Sequence, residues 1–291
     1  LGVPFPTEVG GAGGDHISYA ITVEELSRVC ASTGVICSAH TSLCAWPIFN
    51  YGTDEQKAKY LPDLCSGRKL GAFGLTEPGA GTDAAGQQTK AVDAGDSWIL
   101  NGSKCFITNG GYADVFIIMA MTDKSKGTKG ISAFIVEKGD EGFSIGKTED
   151  KMGICASSTT ELIFQNCKIP KDRLLSKVGD GFKVAMSTLD GGRIGIASQA
   201  LGIAQGALDV TIEYMQARKQ FGKKLSQMQA LQFEVANMAT QIEAARLLVY
   251  KAADTKERHL PYGVNAAMAK LFAAETAMYV TTKAVQLHGG Y

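Results

Sequence analysis

From Asp15 to about Cys30 the run "DHISYAITVEELSRVC" repeats apolar residues at intervals of three and four, the period of a helix with one buried face. "TSLCAWPIFNYG" predicts a second short helix, broken near Pro47. "TDEQKAKYLPDLCSG" opens with Thr53 and Gln56 at capping-box spacing and closes on Gly67, which predicts a third. Residues 1–68 are therefore expected to be a helical domain.

The period then changes. "KLGAFGLTE", "QQTKAV", "SWILNG", "KCFITNG", "ADVFIIMAMTD", "KGISAFIVEK", "FSIGKTE" and "TTELIFQNCKI" are short runs rich in β-branched and aromatic residues. Turn signals at Asn101-Gly102 and Asn109-Gly110 join them. With no helix between them, these strands predict an antiparallel barrel or sandwich across residues 69–170. After Pro170 come three long helical stripes: Ile194, Ala197, Leu201, Ala204, Leu208 and Ile212; then Leu231, Val235, Met238, Ile242, Ala245 and Val249; then Ala267, Leu271, Ala274 and Met278. They predict a helical bundle over 171–291. Many stripe positions are Ala or Gly, so helices come close together, and the set calls for a further helix or another subunit. An oligomer is expected.

At 291 residues and 45% hydrophobic, the chain has ample core for two or three structural units. Lys plus Arg equals Asp plus Glu at 29 each, so no global field draws it to nucleic acid or an anionic membrane, and an anionic ligand must find local cations. No run is apolar enough to span a bilayer. Seven scattered cysteines lack zinc-site spacing and read as free buried thiols in a reducing compartment. Residue 1 is Leu, and "VQLHGGY" stops within a helical pattern, so both terminal domains are expected to be truncated.

The stretch "GLTEPGAGTD", residues 74–83, holds the densest candidate chemistry. Residues 79–84, "GAGTDA", satisfy the spacing of a dinucleotide fingerprint, but that motif needs a helix to start at the glycines so that its amides face a pyrophosphate. The next residues, "AGQQTKAVDAGDSWILNG", read as a hairpin, so the fingerprint is rejected. A ligand-facing loop with glycines for close approach and Thr76 and Thr82 as donors survives beside a plain turn that caps a strand.

Other places bear on that choice. Phe106 and Thr108 alternate on one strand and present an aromatic wall beside a hydroxyl; core packing explains them too. "LDGGR", residues 189–193, sets two glycines inside a long helix, at a ligand or at a helix crossing. "ARKQFGKKL", residues 217–225, ends a helix with Gly222 as its C-cap and leaves Phe221 exposed, which asks for an interface or an aromatic ligand. The glycines of "VQLHGGY" are a C-cap on the plain reading, and His288 alone is more often a surface or core histidine than a ligand.

These stretches, in this order, resemble the acyl-CoA dehydrogenases over essentially the whole chain. The signatures are "GLTEPGAGTDAAG", "LNGSKCFITNGG", "GRIGIASQALGIAQGALD", "RKQFGKKL" and "KAVQLHGG", closest to the short-chain, butyryl-CoA branch. The resemblance implies an α+β multidomain fold: a helical N-terminal domain (1–68), a central antiparallel β-barrel (69–170) and a C-terminal helical bundle (171–291), assembled as a homotetramer, a dimer of dimers.

It also implies FAD. Phe73, Leu75 and Thr76 match positions lining the isoalloxazine ring and its polar edge, Thr82 one touching flavin phosphate and acyl-CoA, and Phe106 and Thr108 the wall behind the ring and a hydrogen bond near N5. Arg218, Phe221, Leu225, Met228 and Gln229, with Gln286, Gly289 and Gly290, match residues that hold the FAD of a neighbouring subunit. Asp190, Gly191, Gly192 and Arg193 match the acyl-CoA segment.

The implied reaction is α,β-dehydrogenation of a short-chain acyl-CoA thioester, butyryl-CoA to crotonyl-CoA or the reverse. A carboxylate takes the α-proton, the β-hydride goes to flavin, and electrons pass to electron-transfer flavoprotein. An oxidase-like relative using oxygen and a non-catalytic flavin-binding relative are the alternatives. The compartment is the cytoplasm for a bacterial protein and the mitochondrial matrix for a eukaryotic one. The family's usual base, a Glu in a "YEG" motif, is expected beyond Tyr291. Some members carry it within the segment that here reads "DGGR", where Gly192 has no side chain to take a proton, and the counterpart of Glu77 is structural. Another departure is "MGICASS", where close relatives carry Arg and Gly in place of Cys155 and Ala156.

Overall fold

The computed structural model describes residues 1–291 and divides into two compact units. One comprises Leu1–Gly14 and Ile36–Gly192; the other comprises Asp15–Val35 and Arg193–Tyr291. The elements run α1 (His16–Val29), α2 (Ala31–Ser38), a π-helical stretch (Ala39–Ala45), α3 (Trp46–Tyr51), α4 (Asp54–Ser66), β1 (Gly71–Gly74), β2 (Lys90–Asp93), β3 (Ser97–Thr108), β4 (Val115–Met121), β5 (Ile131–Glu137), β6 (Phe143–Thr148), β7 (Thr159–Pro170), β8 (Leu174–Leu175), α5 (Gly181–Ala217), β9 (Lys219–Gln220), β10 (Lys223–Lys224), α6 (Gln229–Glu257) and α7 (Gly263–His288).

The sheet of the first unit is open, not a closed barrel. Its eight strands run β6-β7-β3-β2-β4-β5-β8, with β1 also on β4, and β6 and β8 end the path without pairing to each other. Nor is it wholly antiparallel, because β1 and β2 both pair β4 in parallel. The resemblance implied a closed barrel, but the β8 edge is only two residues long, a blunt end that protects a sheet without closing it. Strand β4 is buried on both faces. Val115, Ile117 and Met119 meet Ile48, Leu61 and Val184 from the helices, while Phe116, Ile118 and Ala120 share a second core with Leu100, Phe134 and Leu162.

The Asn101-Gly102 turn does not form. Strand β3 runs through it, and the pairing with β7 slips one step between Leu100 and Gly102, with Gly102 at φ 142°. The extra residue of this bulge lies on β7, where Asn166 takes φ 49°, and the turn dipeptide stays within its strand. Asn109-Gly110 does turn the chain: Asn109 sits at φ 68° and donates through Nδ2 to the carbonyls of Ile36 (3.2 Å) and Gly71 (3.1 Å). Pro47 does not break its helix. It lies in the first turn of α3, directly after the π stretch, where Trp46 N–H reaches back five residues to the Thr41 carbonyl. The Thr53–Gln56 capping box and the left-handed Gly67 cap of α4 form as predicted.

His40 of the π stretch is fully buried and neutral. Its Nδ1 accepts from Gly71 N–H (2.9 Å), so Nε2 carries the proton and donates to the Leu64 carbonyl (3.0 Å). Burial lowers its pKa from 6.5 to about 4. Because the unfolded chain takes up that proton first, the native state loses about 3 kcal/mol as pH falls from 6.5 to 4, at ~1.4 kcal/mol per pH unit. Urea unfolding at pH 7.5 and 4.5 should show this loss in the wild type. His40→Gln, which keeps one donor and one acceptor, should show a shallower slope; equal slopes would refute the assignment.

In the second unit, the buried residues of α5, α6 and α7 form one core, and the further helix that the small stripe positions call for is α1, through Ile17 and Ala20. The predicted stripes on α5 and α6 face that core. On α7 the buried face is Ala266, Ala269, Ala273, Ala277, Val280 and Ala284, and the predicted Ala267, Leu271 and Met278 are exposed, with Ala274 half-buried. Helix α7 is apolar on two faces, and the larger residues lie on the outer one. No helix is long and apolar enough to cross a membrane. All seven cysteines are free; Cys37, Cys44, Cys65 and Cys167 are buried, Cys105 is half-buried, and Cys30 and Cys155 are exposed.

Candidate functional site

In the first unit the loop after β1 is bound to β3. Phe73 and Thr76 are half-buried and Leu75 is buried. The Thr76 carbonyl accepts from Cys105 N–H (2.9 Å), which sets the loop beside Phe106. Between Lys104 and Ile107 the pairing with β7 slips again, and Phe106 takes a left-handed φ of 59°. This second bulge turns Ile107 into the core and leaves Phe106 64% exposed, with Thr108 half-buried beyond it. Strict alternation from Leu100 would have put Phe106 inside.

Below the loop lies an ion pair that the sequence did not reveal. Lys104 Nζ, 0% exposed, donates to Glu77 Oε1 (2.7 Å), the Leu75 carbonyl (3.0 Å) and Gln87 Oε1 (3.1 Å), which uses all three ammonium protons. Glu77, 6% exposed, also accepts from the backbone N–H groups of Gln88 (2.5 Å) and Thr89 (2.9 Å). Burial pushes the carboxyl up, but Lys104 and the Gln88 amide outweigh it and hold Glu77 below the usual carboxylate range. Burial lowers Lys104 to about 8 against the pull of Glu77. A lysine in a strand reads as a solvated side chain, so no local pattern signals this pair. With its oxygens so occupied, Glu77 is a brace and not a proton acceptor.

Thr82 lies on the exposed stretch 81–83, and a side chain at Gly79 or Gly81 would meet nothing within 4 Å. No α-helix starts at these glycines; a three-residue 3₁₀ turn (Ala84–Gly86) leads to the β2–β3 hairpin. Asp190, Gly191 and Gly192 lie within α5, which runs through them unbroken. A Cβ on Gly192 would come within 2.8 Å of Cδ2 at the end of the Leu43 side chain. Arg193 is exposed in the second unit.

In that unit α5 ends at Ala217, and Gly222 is not its C-cap. Phe221 (φ 53°) and Gly222 (φ 74°) form the two-residue turn of the β9–β10 hairpin, a geometry that favours Asn-Gly. Phe221 there is 92% exposed. Leu225 N–H returns to the Arg218 carbonyl (3.0 Å), Met228 N–H to Leu225 (3.0 Å), and Gln229, exposed, starts α6. The exposed Gln286, Gly289 and Gly290 are brought to the same end. Tyr291 lies under the Arg218 guanidinium at 5.0 Å, and His288 stacks on Tyr214 at 4.5 Å.

Two exposed phenylalanines held at left-handed backbone angles cost about 1–2 kcal/mol each and gain no burial, a pattern kept where a ligand needs the ring. Phe221→Asn is therefore expected to raise stability by about 1 kcal/mol. A melting temperature that stays level or falls would count against a strained turn.

The sequence matches the acyl-CoA dehydrogenase N-terminal domain over residues 1–68, the middle domain over 72–167 and the C-terminal domain over 179–291. It is 63% identical to a short-chain specific acyl-CoA dehydrogenase of Clostridium acetobutylicum, over all of this chain and 77% of that one. Butyryl-CoA dehydrogenase from Megasphaera elsdenii superposes with a TM-score of 0.98 at 56% identity, over 100% of this chain and 77% of that one. A structure described as the electron transferring flavoprotein of Acidaminococcus fermentans gives 0.99 at 60% identity, over 100% and 76%. The chain belongs to the acyl-CoA dehydrogenase family.

Proposed function

We propose that this protein is a FAD-dependent dehydrogenase of short-chain acyl-CoA thioesters that interconverts butyryl-CoA and crotonyl-CoA and exchanges electrons with electron-transfer flavoprotein. The observation that carries this reading is an exposed, bulge-turned aromatic, Phe106, beside a loop braced by a buried ion pair, in a chain of this family, whose members use FAD. The segments 1–68, 69–170 and 171–291 serve as its N-terminal, middle and C-terminal domains, a division supported by the family matches.

The residues fit a flat redox ring. Phe73, Leu75, Thr76, Phe106 and Thr108 offer apolar walls with hydroxyl and amide donors, and the exposed Thr82 would contact flavin phosphate and thioester. Bound FAD supplies a two-electron acceptor for the substrate's β-hydride. The chain's own part is to stack and orient that ring, exclude water from it, and hold the thioester along Asp190–Arg193. No catalytic base is assigned among these residues.

Arg218, Phe221, Leu225, Met228 and Gln229, with Gln286, Gly289 and Gly290, would hold the FAD of a neighbouring subunit in a homotetramer. The outward apolar residues of α7 and the bare ring of Phe221 support that assembly. Phe221→Asn, stabilising in the apoprotein, should then weaken FAD binding. The decisive experiment adds butyryl-CoA anaerobically to the FAD-loaded protein. Its visible flavin band should bleach, and an unchanged spectrum at saturating thioester would refute the activity. Peroxide formed in air without electron-transfer flavoprotein would indicate an oxidase instead.

A further inference from the structure

Resting on the flavin reading of the 73–76 loop, we propose that Lys104 is a positioning residue whose buried charge, applied through the Leu75 carbonyl, shifts the bound flavin toward its reduced form. A buried ion pair seldom adds net stability over apolar packing, so its presence at this place calls for another reason. Lys104 lies between the two register shifts of the β3–β7 pairing, with its stem beside Ile118 and Leu162 where they pack against Gly74. Its ammonium is hydrogen-bonded to the carbonyl of Leu75, the residue whose peptide carries Thr76 N–H. The same loop is fixed from the other side by Cys105 N–H on the Thr76 carbonyl and by the paired backbone bonds between Glu77 and Ala80 (3.1 and 3.0 Å). The Leu75–Thr76 peptide is thus rigid, and its dipole is drawn out by a cation at the carbonyl end.

When the flavin takes up a hydride, it gains two electrons and one proton, and so one net negative charge. A fixed cation one peptide away favours that state, because in a dry interior such a charge is weakly screened. Glu77 offsets the ammonium at longer range and keeps it in place. Removing only the lysine leaves the Gln88 and Thr89 N–H groups on the carboxylate and takes one positive charge from beneath the loop.

The test is the reduction equilibrium of FAD bound to the purified protein, read from its visible spectrum against a reference dye. In K104M the ratio of reduced to oxidised flavin at fixed solution potential should fall at least about tenfold, or ~30 mV for this two-electron couple. In the charge-balanced double variant K104M/E77Q it should return to within roughly threefold of the wild type, and K104R should match the wild type. A part that merely holds the fold together would not be repaired by deleting its partner. Should K104M fail to fold, K104Q keeps a donor near the Leu75 carbonyl, removes the same charge, and should show the same fall. An unchanged ratio in the singly neutralised variant, or a fall that persists undiminished in the double variant, overturns the proposal while leaving the flavin site intact. A wild-type protein that binds no FAD would overturn the site itself.

Discussion

Gly202→Val is expected to cost about 3 kcal/mol, a fall in Tm of roughly 8 °C for a protein of this size. A Cβ on Gly202 would sit 2.1 Å from the Glu24 carbonyl oxygen and 2.8 Å from Ser27 Cβ, and one on Gly206 would sit 2.2 Å from the Arg28 carbonyl. Helices α1 and α5 thus meet backbone to backbone along one stripe. Helix α1 has no freedom to retreat. Glu24 is bound by Arg246 Nε (3.0 Å) and Tyr250 Oη (2.7 Å), and Arg28 by Asp209 (2.6 Å). Gly153→Ala, where added atoms meet nothing, should leave Tm unchanged. Thermal unfolding of the two variants side by side decides it, and a Gly202→Val protein as stable as the wild type would mean that α1 is not docked as described.

Glu77→Ala is expected to destabilise by about 3 kcal/mol near pH 7, because it leaves the Lys104 ammonium buried with only neutral partners. The folded protein would answer by giving up the proton. Lys104 is already lowered to about 8 by burial, and without Glu77 it would fall further while the unfolded chain keeps its ordinary value. Between those two values the unfolded state holds one more proton, so the variant should lose a further ~1.4 kcal/mol for each pH unit of acidification, until the folded-state value is reached. Denaturant titrations at pH 9 and 7 would show the deficit growing as pH falls. A deficit that shrinks on acidification would contradict a stranded ammonium.

The long-period features were legible in the sequence because they rest on local chemistry. The α4 caps, the α5 and α6 stripes and the Asn109 turn each need only residues within a few positions of one another. Where the structure differs from the local pattern, tertiary pairing or packing decided the outcome. The β3–β7 register slips twice, at Asn101-Gly102 by an extra residue on β7 and at Phe106 by an extra residue on β3, so the in-out alternation of β3, constant from Trp98 to Lys104, reverses at Phe106. At Gly222 the cap signal was real, but tertiary pairing of Lys219–Gln220 with Lys223–Lys224 used the glycine for a turn instead. On α7 two apolar faces compete, and periodicity alone cannot say which one is covered.

The candidate site was legible in part. Phe106, Phe221 and the 73–82 loop stood out by residue type, and Phe106 and the loop's first residues come together on one support. Lys104, His40 and the side-chain contacts of Asn109 were silent. Their partners lie 17 to 73 residues away in sequence, and each is polar at a position that reads as ordinary strand, helix or turn.

The π stretch at Ala39–Ala45 is in effect a one-residue surplus stored inside a helix. Deleting a single residue there would restore a regular coil, yet it would swing the preceding turns by ~100° relative to Trp46–Tyr51 and carry His40 away from the strand it steadies. In this segment a change of length acts as a change of angle, so related chains that differ by one residue here should differ in which side chains point inward rather than in how far the helix extends.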